Sequence, residues 1–295
     1  MQGSILRWIK KNTTDLKGRV VAISGATGGL GRELCRYFAY LGAALILLDR
    51  NITKSKALAD ELRADFEGTE ISHIRADMED MESVKAATQE LLGRTVDFLV
   101  LNAGAYSIPR HKCSTGYDNV FQINFISPYY LARKLLPRLR ERGGKVVAVG
   151  SIAHNYSKTD PEDIDFSTRR KASLVYGNAK RYLMFALPDI LCDGSGVVIA
   201  HPGITFTNIT AHYPKLIFAI IKHPMKVIFM KPRKASLGIV KAMFADIAPN
   251  SWVGPRIFDI WGRPSIKPLR NIDNSEREGI LCFAEKCYNE MKASK

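Results

Sequence analysis

The sequence predicts an α/β fold, a single doubly wound domain around a central parallel sheet, and three observations carry that prediction. Short apolar, β-branched runs alternate with helical patterns through the first two thirds of the 295 residues. Each run is almost continuously apolar, as strands are when helices cover both faces of a parallel sheet. A glycine-rich turn, SGATGGLG (24–31), directly follows the first run and opens the first helix.

Taken in order, RVVAIS (19–24) reads as the first strand and LGRELCRYFAYLG (30–42) as the first helix. ALILL (44–48), ISHIRA (71–76), VDFLVL (96–101), KVVAVG (145–150) and GVVIA (196–200) read as further strands. Helical periodicity marks 53–66, 79–92, 116–141 and 175–191, and Pro188 should bend or end the last of these. Residues 152–174 form a long polar connection, and loops of that length are usually functional or mobile. Residues 211–233 mix apolar and basic side chains around three prolines and read as an irregular lid. Near the C-terminus, Ser275 and Glu278 fit a capping box. Ile280, Phe283, Ala284, Cys287, Tyr288 and Met291 then follow at amphipathic helical spacing, for packing on the body or on a neighbouring subunit. No linker or repeat divides the chain. The expected organisation is an extension (1–17), a core (18–210), a substrate lid region (211–250), and a last strand with the C-terminal helix (251–295).

Composition narrows the function. A hydrophobic share of 46% with 24% charged residues suits a soluble chain that buries a full core. The five cysteines are scattered, with no CxxC pair, which points to a reducing, cytoplasmic setting and away from disulfides or a zinc site. MQGSILRWIKKN lacks the apolar centre of a signal peptide, and no stretch approaches the roughly 18 apolar residues of a membrane span. The net charge of +14 is spread out, without the aromatic-interleaved basic run that would suit nucleic acid. The lid, with Lys215, Lys222, Lys226, Lys231, Arg233 and Lys234, and the N-terminal ILRWIKK could lie on an anionic bilayer. Solvated basic faces explain the same letters, and peripheral membrane contact is the less favoured reading.

The glycine turn is where the chemistry starts. Gly25, Gly29 and Gly31 permit a tight turn, a close backbone approach, and a helix N-terminus aimed at a bound phosphate. Asp49 closes the second strand 18 residues beyond Gly31, where an acidic residue accepts a hydrogen bond from an adenosine ribose. A carboxylate there repels a 2′-phosphate by about 4 kcal/mol at 4 Å and an effective dielectric near 20. NAD is therefore favoured over NADP, with Arg50 next door softening the preference. Further along, SLVYGNAKRYLMF (173–185) sets Tyr176 and Lys180 four residues apart, on one helical face.

Together these residues resemble the short-chain dehydrogenases/reductases over roughly residues 18–210. GATGGLG (25–31) matches the family's glycine motif, with Ser24 in place of the usual threonine. Asp77 in IRADM looks like the aspartate that contacts adenine. Asn102, Ala103 and Gly104 match the family's NNAG, with Leu101 in its first position. Asn124 falls at the family's helix asparagine, Ser151 at its serine, and Tyr176 with Lys180 at its YxxxK. HPGITFTNI (201–209) matches PGxxxT and puts Thr207 at the nicotinamide carboxamide. The long interval from Ser151 to Tyr176, headed by SIAH, resembles the retinol-dehydrogenase and protochlorophyllide-reductase-like branch.

The resemblance implies a Rossmann domain and a cofactor bound by Gly25, Thr27, Gly28, Gly29, Leu30, Gly31, Asp49, Arg50, Asp77, Met78, Asn102, Ala103, Gly104, Tyr176, Lys180, Pro202, Gly203, Ile204 and Thr207. It also implies catalysis by Ser151, Tyr176, Lys180 and Asn124 on an alcohol or ketone. A free tyrosine has a pKa of about 10. An ammonium nearby would bring it towards neutrality, where general acid–base catalysis works best. No metal is called for, and no His/Cys/Asp cluster shows in the spacing. His154 reads as a loop histidine or substrate contact. Apolar lid residues such as Leu216, Ile217, Phe218, Ile220, Phe229 and Met230 suit a bulky apolar substrate: a steroid, retinoid, fatty or aromatic alcohol or ketone. A homo-oligomer, dimer or tetramer, is the expected assembly. The rival reading is a cofactor-sensing regulator or scaffold on the same fold, which would be expected to lose Tyr, Lys or Ser; all three are present.

Overall fold

A computed structural model describes residues 3–191, 195–205, 229–248 and 250–293. Seven strands run parallel: β1 (Val20–Ser24), β2 (Ala44–Asp49), β3 (Ile71–Arg75), β4 (Phe98–Leu101), β5 (Lys145–Val149), β6 (Val197–Ala200) and β7 (Ser251–Ile257). An eighth, β8 (Trp261–Pro268), closes the edge antiparallel to β7, and the sheet order is β3-β2-β1-β4-β5-β6-β7-β8. The chain builds outward from β1 to β3, then returns to the other side of β1 with β4. That reversal opens a crevice at the carboxyl ends of β1 and β4, where open α/β sheets bind ligands.

Period-two alternation divides the core into two layers. Val21, Ile23, Leu45, Leu47 and Val100 face one side. There they meet α1 (Gly3–Asn12), α2 (Gly29–Tyr40), α3 (Ile52–Asp65) and α7 (Pro232–Phe244), through residues such as Ile9, Leu34, Leu58 and Ile239. Ala22, Ile46, Leu48, Leu99 and Val146 face the other side. That layer is closed by α4 (Met81–Leu92), α5, α6 (Ala172–Ala186) and α8 (Asn274–Ala293). Helix α5 is composite: Asn119–Phe121, a π turn over Gln122–Ile126, then Ser127–Glu141.

Several elements differ from the sequence reading. The N-terminal extension is a helix whose apolar residues Ile5 and Ile9 are buried in the core, so that stripe is not available to a bilayer. Residues 232 and 233 are not irregular lid but the start of α7, whose Ala235, Leu237, Ile239 and Val240 are buried. The cap of α8 is Asp273, not Ser275: Asp273 Oδ1 accepts from Glu276 N at 2.9 Å and from Ser275 Oγ at 2.8 Å. Pro188 acts as the sequence requires, since α6 stops at Ala186 and a 3₁₀ turn covers Leu187–Asp189. Ile280, Ala284, Cys287 and Met291 bury one face of α8 in the core. Cys35, Cys113, Cys282 and Cys287 are free thiols. No helix among the described residues is long and apolar enough to cross a membrane. Thr207, Cys192 and the lid residues 211–228 lie outside the described residues.

Candidate active site

The crevice is walled by close backbone approach. Gly25 has φ +64°, and a Cβ there would stand 2.9 Å from Ala103 Cα. A Cβ on Gly31 would stand 2.2 Å from the Gly25 carbonyl oxygen, so α2 packs against its own entry turn only with glycine at that position. Ser24 ties the turn to the end of β4: its Oγ accepts from Asn102 N and Ala103 N, each at 3.0 Å. Asn102 Nδ2 returns bonds to the carbonyls of Ser24 and Gly25, each at 3.0 Å. The first turn of α2 has no side-chain cap at Gly28, leaving its N–H groups to a phosphate.

The resulting cleft of about 330 Å³ is lined by Gly25, Thr27, Gly28, Gly29 and Leu30 from the turn, Asp49 and Arg50 after β2, Asp77 and Met78 after β3, and Asn102, Ala103 and Gly104 after β4. Asp49 is 4% exposed, and its Oδ1 accepts from Thr27 N at 3.1 Å and Thr27 Oγ1 at 2.9 Å. Burial raises its pKa, while Thr27 and the Ser55 hydroxyl pull the other way. Its Oδ2 is buried without a hydrogen-bond partner among the described residues. An orphaned carboxylate oxygen on the cleft wall fits a donor such as a ribose hydroxyl. Cradle, helix terminus and orphan acceptor together fit a dinucleotide.

At the ends of β5 and β6 a second group converges. Ser151 caps a 3₁₀ turn (Ile152–Asn155), its Oγ accepting from Ala153 N at 3.2 Å. The turn presses on α6: a Cβ on Gly177 would stand 2.3 Å from the Ala153 carbonyl oxygen. Tyr176 packs edge-on against Tyr106 at 5.4 Å, and the Ser151 side chain is near enough to ease ionisation of its phenol. Lys180 Nζ donates to the Val149 carbonyl at 2.9 Å and lies 5.7 Å from the Tyr176 ring centroid. Phenol and ammonium therefore share one side of α6, as the i,i+4 spacing requires.

The electrostatics depart from the sequence argument, which has Lys180 draw Tyr176 down. Burial instead pushes Tyr176 up to about 12, with the Ser151 side chain opposing it, and burial alone brings Lys180 down to about 7. A half-deprotonated amine exerts little field, so desolvation outweighs the pairing. His154 is also not a loop or substrate-facing residue. It is 1% exposed, and Nδ1 meets the Ser151 carbonyl at 2.6 Å, clamping the turn from behind.

Asn124 lies in the π turn, a feature its residue pattern did not announce and one that often marks functional sites. Its Nδ2 donates to the carbonyls of Ala105 and Val120, each at 2.8 Å, and Oδ1 has no partner among the described residues. That oxygen and Lys180 Nζ stand 2.8 and 3.7 Å from where a Gly104 Cβ would be. Pro202, Gly203 and Ile204 follow β6, and Gly203 (φ +80°) leaves only 2.6 Å between an added Cβ and the Ile260 carbonyl oxygen. Met230 N donates to the Ile204 carbonyl at 2.9 Å, bringing Met230 against the loop that follows β6.

Sequence reasoning overlooked three groups. Tyr106 carries no motif and was reachable only through the fold. His201 stacks on Trp252 beneath the Pro202–Gly203 loop. Glu79, His111 and Cys113 bring their ligand atoms within 4.8 Å of one another, a meeting that the spacing along the sequence did not announce.

The short chain dehydrogenase family profile matches residues 19–160. Mouse (Mus musculus) retinol dehydrogenase 12 is 30% identical over 202 residues, covering 66% of this chain and 64% of its own length. A candidate daunorubicin C-13 ketoreductase of Streptomyces sp. (strain C5) is 30% identical over 204 residues, covering 66% of this chain and 68% of its own. The chain thus spans a little under two thirds of the retinol dehydrogenase it matches. Among solved structures, an uncharacterised protein from Mycobacterium paratuberculosis superposes with a TM-score of 0.71 at 24% identity, covering 95% of this chain and 96% of its own.

Proposed function

The chain belongs to the short-chain dehydrogenase family, and on that premise we propose that it is an NAD(P)-dependent oxidoreductase acting on the carbinol or carbonyl carbon of an alcohol or ketone. The observation that carries the reading is that Tyr176 and Lys180 share one side of α6, with the Ser151 side chain at Tyr176 and Lys180 Nζ beside Gly104 of the cleft wall. When bound, the nicotinamide supplies or accepts the hydride, and its oxidised, positively charged ring favours the phenolate.

The chain's own residues handle the proton. A phenol held near 12 is protonated at neutral pH and donates to a carbonyl oxygen in reduction. Ser151 offers a hydrogen bond to the substrate oxygen as charge develops there. Lys180, near 7, can pass a proton on, and Asn124 supports a water-linked proton path from it. Thr207 and Pro202–Ile204 hold the carboxamide side in this reading. NAD is favoured over NADP because Asp49 Oδ2 suits a ribose hydroxyl and repels a 2′-phosphate. The substrate is a bulky apolar alcohol or ketone, in keeping with relatives named retinol and polyprenol dehydrogenases and with the apolar lid letters. A cytoplasmic homo-oligomer completes the proposal.

The test is a panel of alcohols and ketones with both nucleotides, read by nicotinamide absorbance. Turnover of retinoid, steroid or long-chain substrates is expected; turnover confined to small polar sugars would overturn the substrate class.

A further inference from the structure

We propose that Glu79, His111 and Cys113 form a binding site for a soft divalent metal ion of the zinc class, apart from the Ser151–Tyr176–Lys180 group and independent of the reaction assigned to it. One carboxylate oxygen, one imidazole nitrogen and one thiol sulfur lie within 4.8 Å of one another. That mixed donor set is what zinc takes, at roughly 2.0–2.3 Å per ligand. Small side-chain adjustments close the distances, and His111 Nε2 already meets Glu79 Oε1 at 2.6 Å.

The backbone prepares the trio. Lys112 forms an antiparallel bridge with Asp118, Cys113 N donates to the Tyr117 carbonyl at 2.8 Å, and Asn119 N donates to the His111 carbonyl at 3.0 Å. In that extended stretch, residues two apart share a face, so His-Lys-Cys places its first and third side chains together. The Glu79 backbone is tied down as well, its carbonyl accepting from Gln122 Nε2 and its N–H donating to Asp77 Oδ1 at 3.2 Å.

The surroundings suit a cation. Cys113 is half-buried, and the carboxylates of Glu79, Asp77 and Asp118 surround its thiol, the last of them also paired with Arg110 at 2.8 Å. The same field attracts a metal, whose charge would convert the thiol to the thiolate ligand. His111 Nδ1 is taken by Asn119 at 3.2 Å and Nε2 by Glu79 at 2.6 Å, so neither nitrogen is paired with the Cys113 thiol as a Cys–His catalytic pair requires. Asn119 supplies the outer contact. It is 1% exposed, its Nδ2 also donates to the Pro109 carbonyl at 3.0 Å, and its Oδ1 has no partner among the described residues. Turning the amide exchanges the Pro109 bond for one in which Oδ1 accepts from an Nδ1–H, the arrangement a metal-bound imidazole needs. Because Glu79 also lines the dinucleotide cleft, a metal here would brace the 109–119 loop against the cleft wall.

Cobalt(II) titration of the full-length protein provides the readout, since a thiolate–cobalt bond carries its own charge-transfer absorption. The expected result is one ion per chain with that absorption. It should be lost in Cys113→Ser, affinity should fall by more than about ten-fold in both His111→Asn and Glu79→Gln, and Cys282→Ser on α8 should change nothing. Failure of the folded wild-type chain to bind cobalt, absorption that survives Cys113→Ser, or affinity that both other variants leave intact would overturn the proposal.

Discussion

Asp49 and His201 show how a single buried group turns position into a measurable preference. With Oδ1 committed to Thr27, the unpartnered Oδ2 of Asp49 faces a cofactor ribose in the proposed complex. Replacing it by Asn removes the charge that disfavours a 2′-phosphate. If NAD is preferred as proposed, the NADP-over-NAD ratio of dissociation constants should fall by about ten-fold or more in Asp49→Asn, on the scale of 1.4 kcal/mol per decade; parallel titrations with both nucleotides check this. His201 is 3% exposed and burial brings it down to about 4, against about 6.5 for a free imidazole. Between those values the unfolded chain binds the extra proton, so this group makes stability fall as pH drops from about 6.5 to 4, by about 3 kcal/mol, and leaves it flat above. His154, lowered for the same reason, adds in the same direction. Urea midpoints measured across that window should slope less in His201→Gln; an unchanged slope would remove His201 from the account. The shared face of Tyr176 and Lys180 was legible because their spacing is local, whereas Ser151, a long interval away, was suggested only by the family resemblance. The protonation of Tyr176 and Lys180 was not legible, because burial, which governs it, is set by distant chain segments.

At the scale of elements, α8 is held to α6 by more than its apolar face. Arg181, next to Lys180, forms a two-pronged bond to Glu276: Nε to Oε1 at 2.7 Å and Nη2 to Oε2 at 2.6 Å, with both side chains under a tenth exposed. Arg181 Nη1 also donates to the His154 carbonyl at 2.8 Å, so the pair fastens the C-terminal helix to the turn that carries Ser151. Glu276→Gln leaves a buried guanidinium without its counter-charge, and a loss of about 3–5 kcal/mol is expected in denaturant unfolding. A loss below 1 kcal/mol would mean that the pair is dispensable. The amphipathic stripe of α8 and the break at Pro188 were readable from spacing and from proline's missing N–H. The cap was misread because Asp273 and Ser275 are both plausible caps, and only the backbone path chooses between them. A single last strand was expected beyond residue 250, and the second strand of the β7–β8 hairpin was not foreseen because Pro255, Pro264, Pro268, Gly254 and Gly262 blur any strand period; such residues suit the edge of a sheet.

For the whole molecule, the alternation of apolar runs and helical periods was enough to lay out the layers and the crevice, because every strand of the parallel core is covered on both faces. What stayed hidden was convergence across the chain. Asn124, Gly104 and Lys180 meet through a π turn, and Glu79 reaches His111 and Cys113 across more than thirty positions. No local pattern encodes either meeting. The molecular claim that organises all of this is that the fold sets an acid–base phenol beside a dinucleotide cradle. Its most direct test is the single-turnover hydride-transfer rate of Tyr176→Phe, with nucleotide binding measured in parallel on the same protein and a substrate from the panel. The predicted result is a rate lower by about 10²–10⁴ with nucleotide affinity nearly unchanged; hydride transfer at the wild-type rate would contradict it.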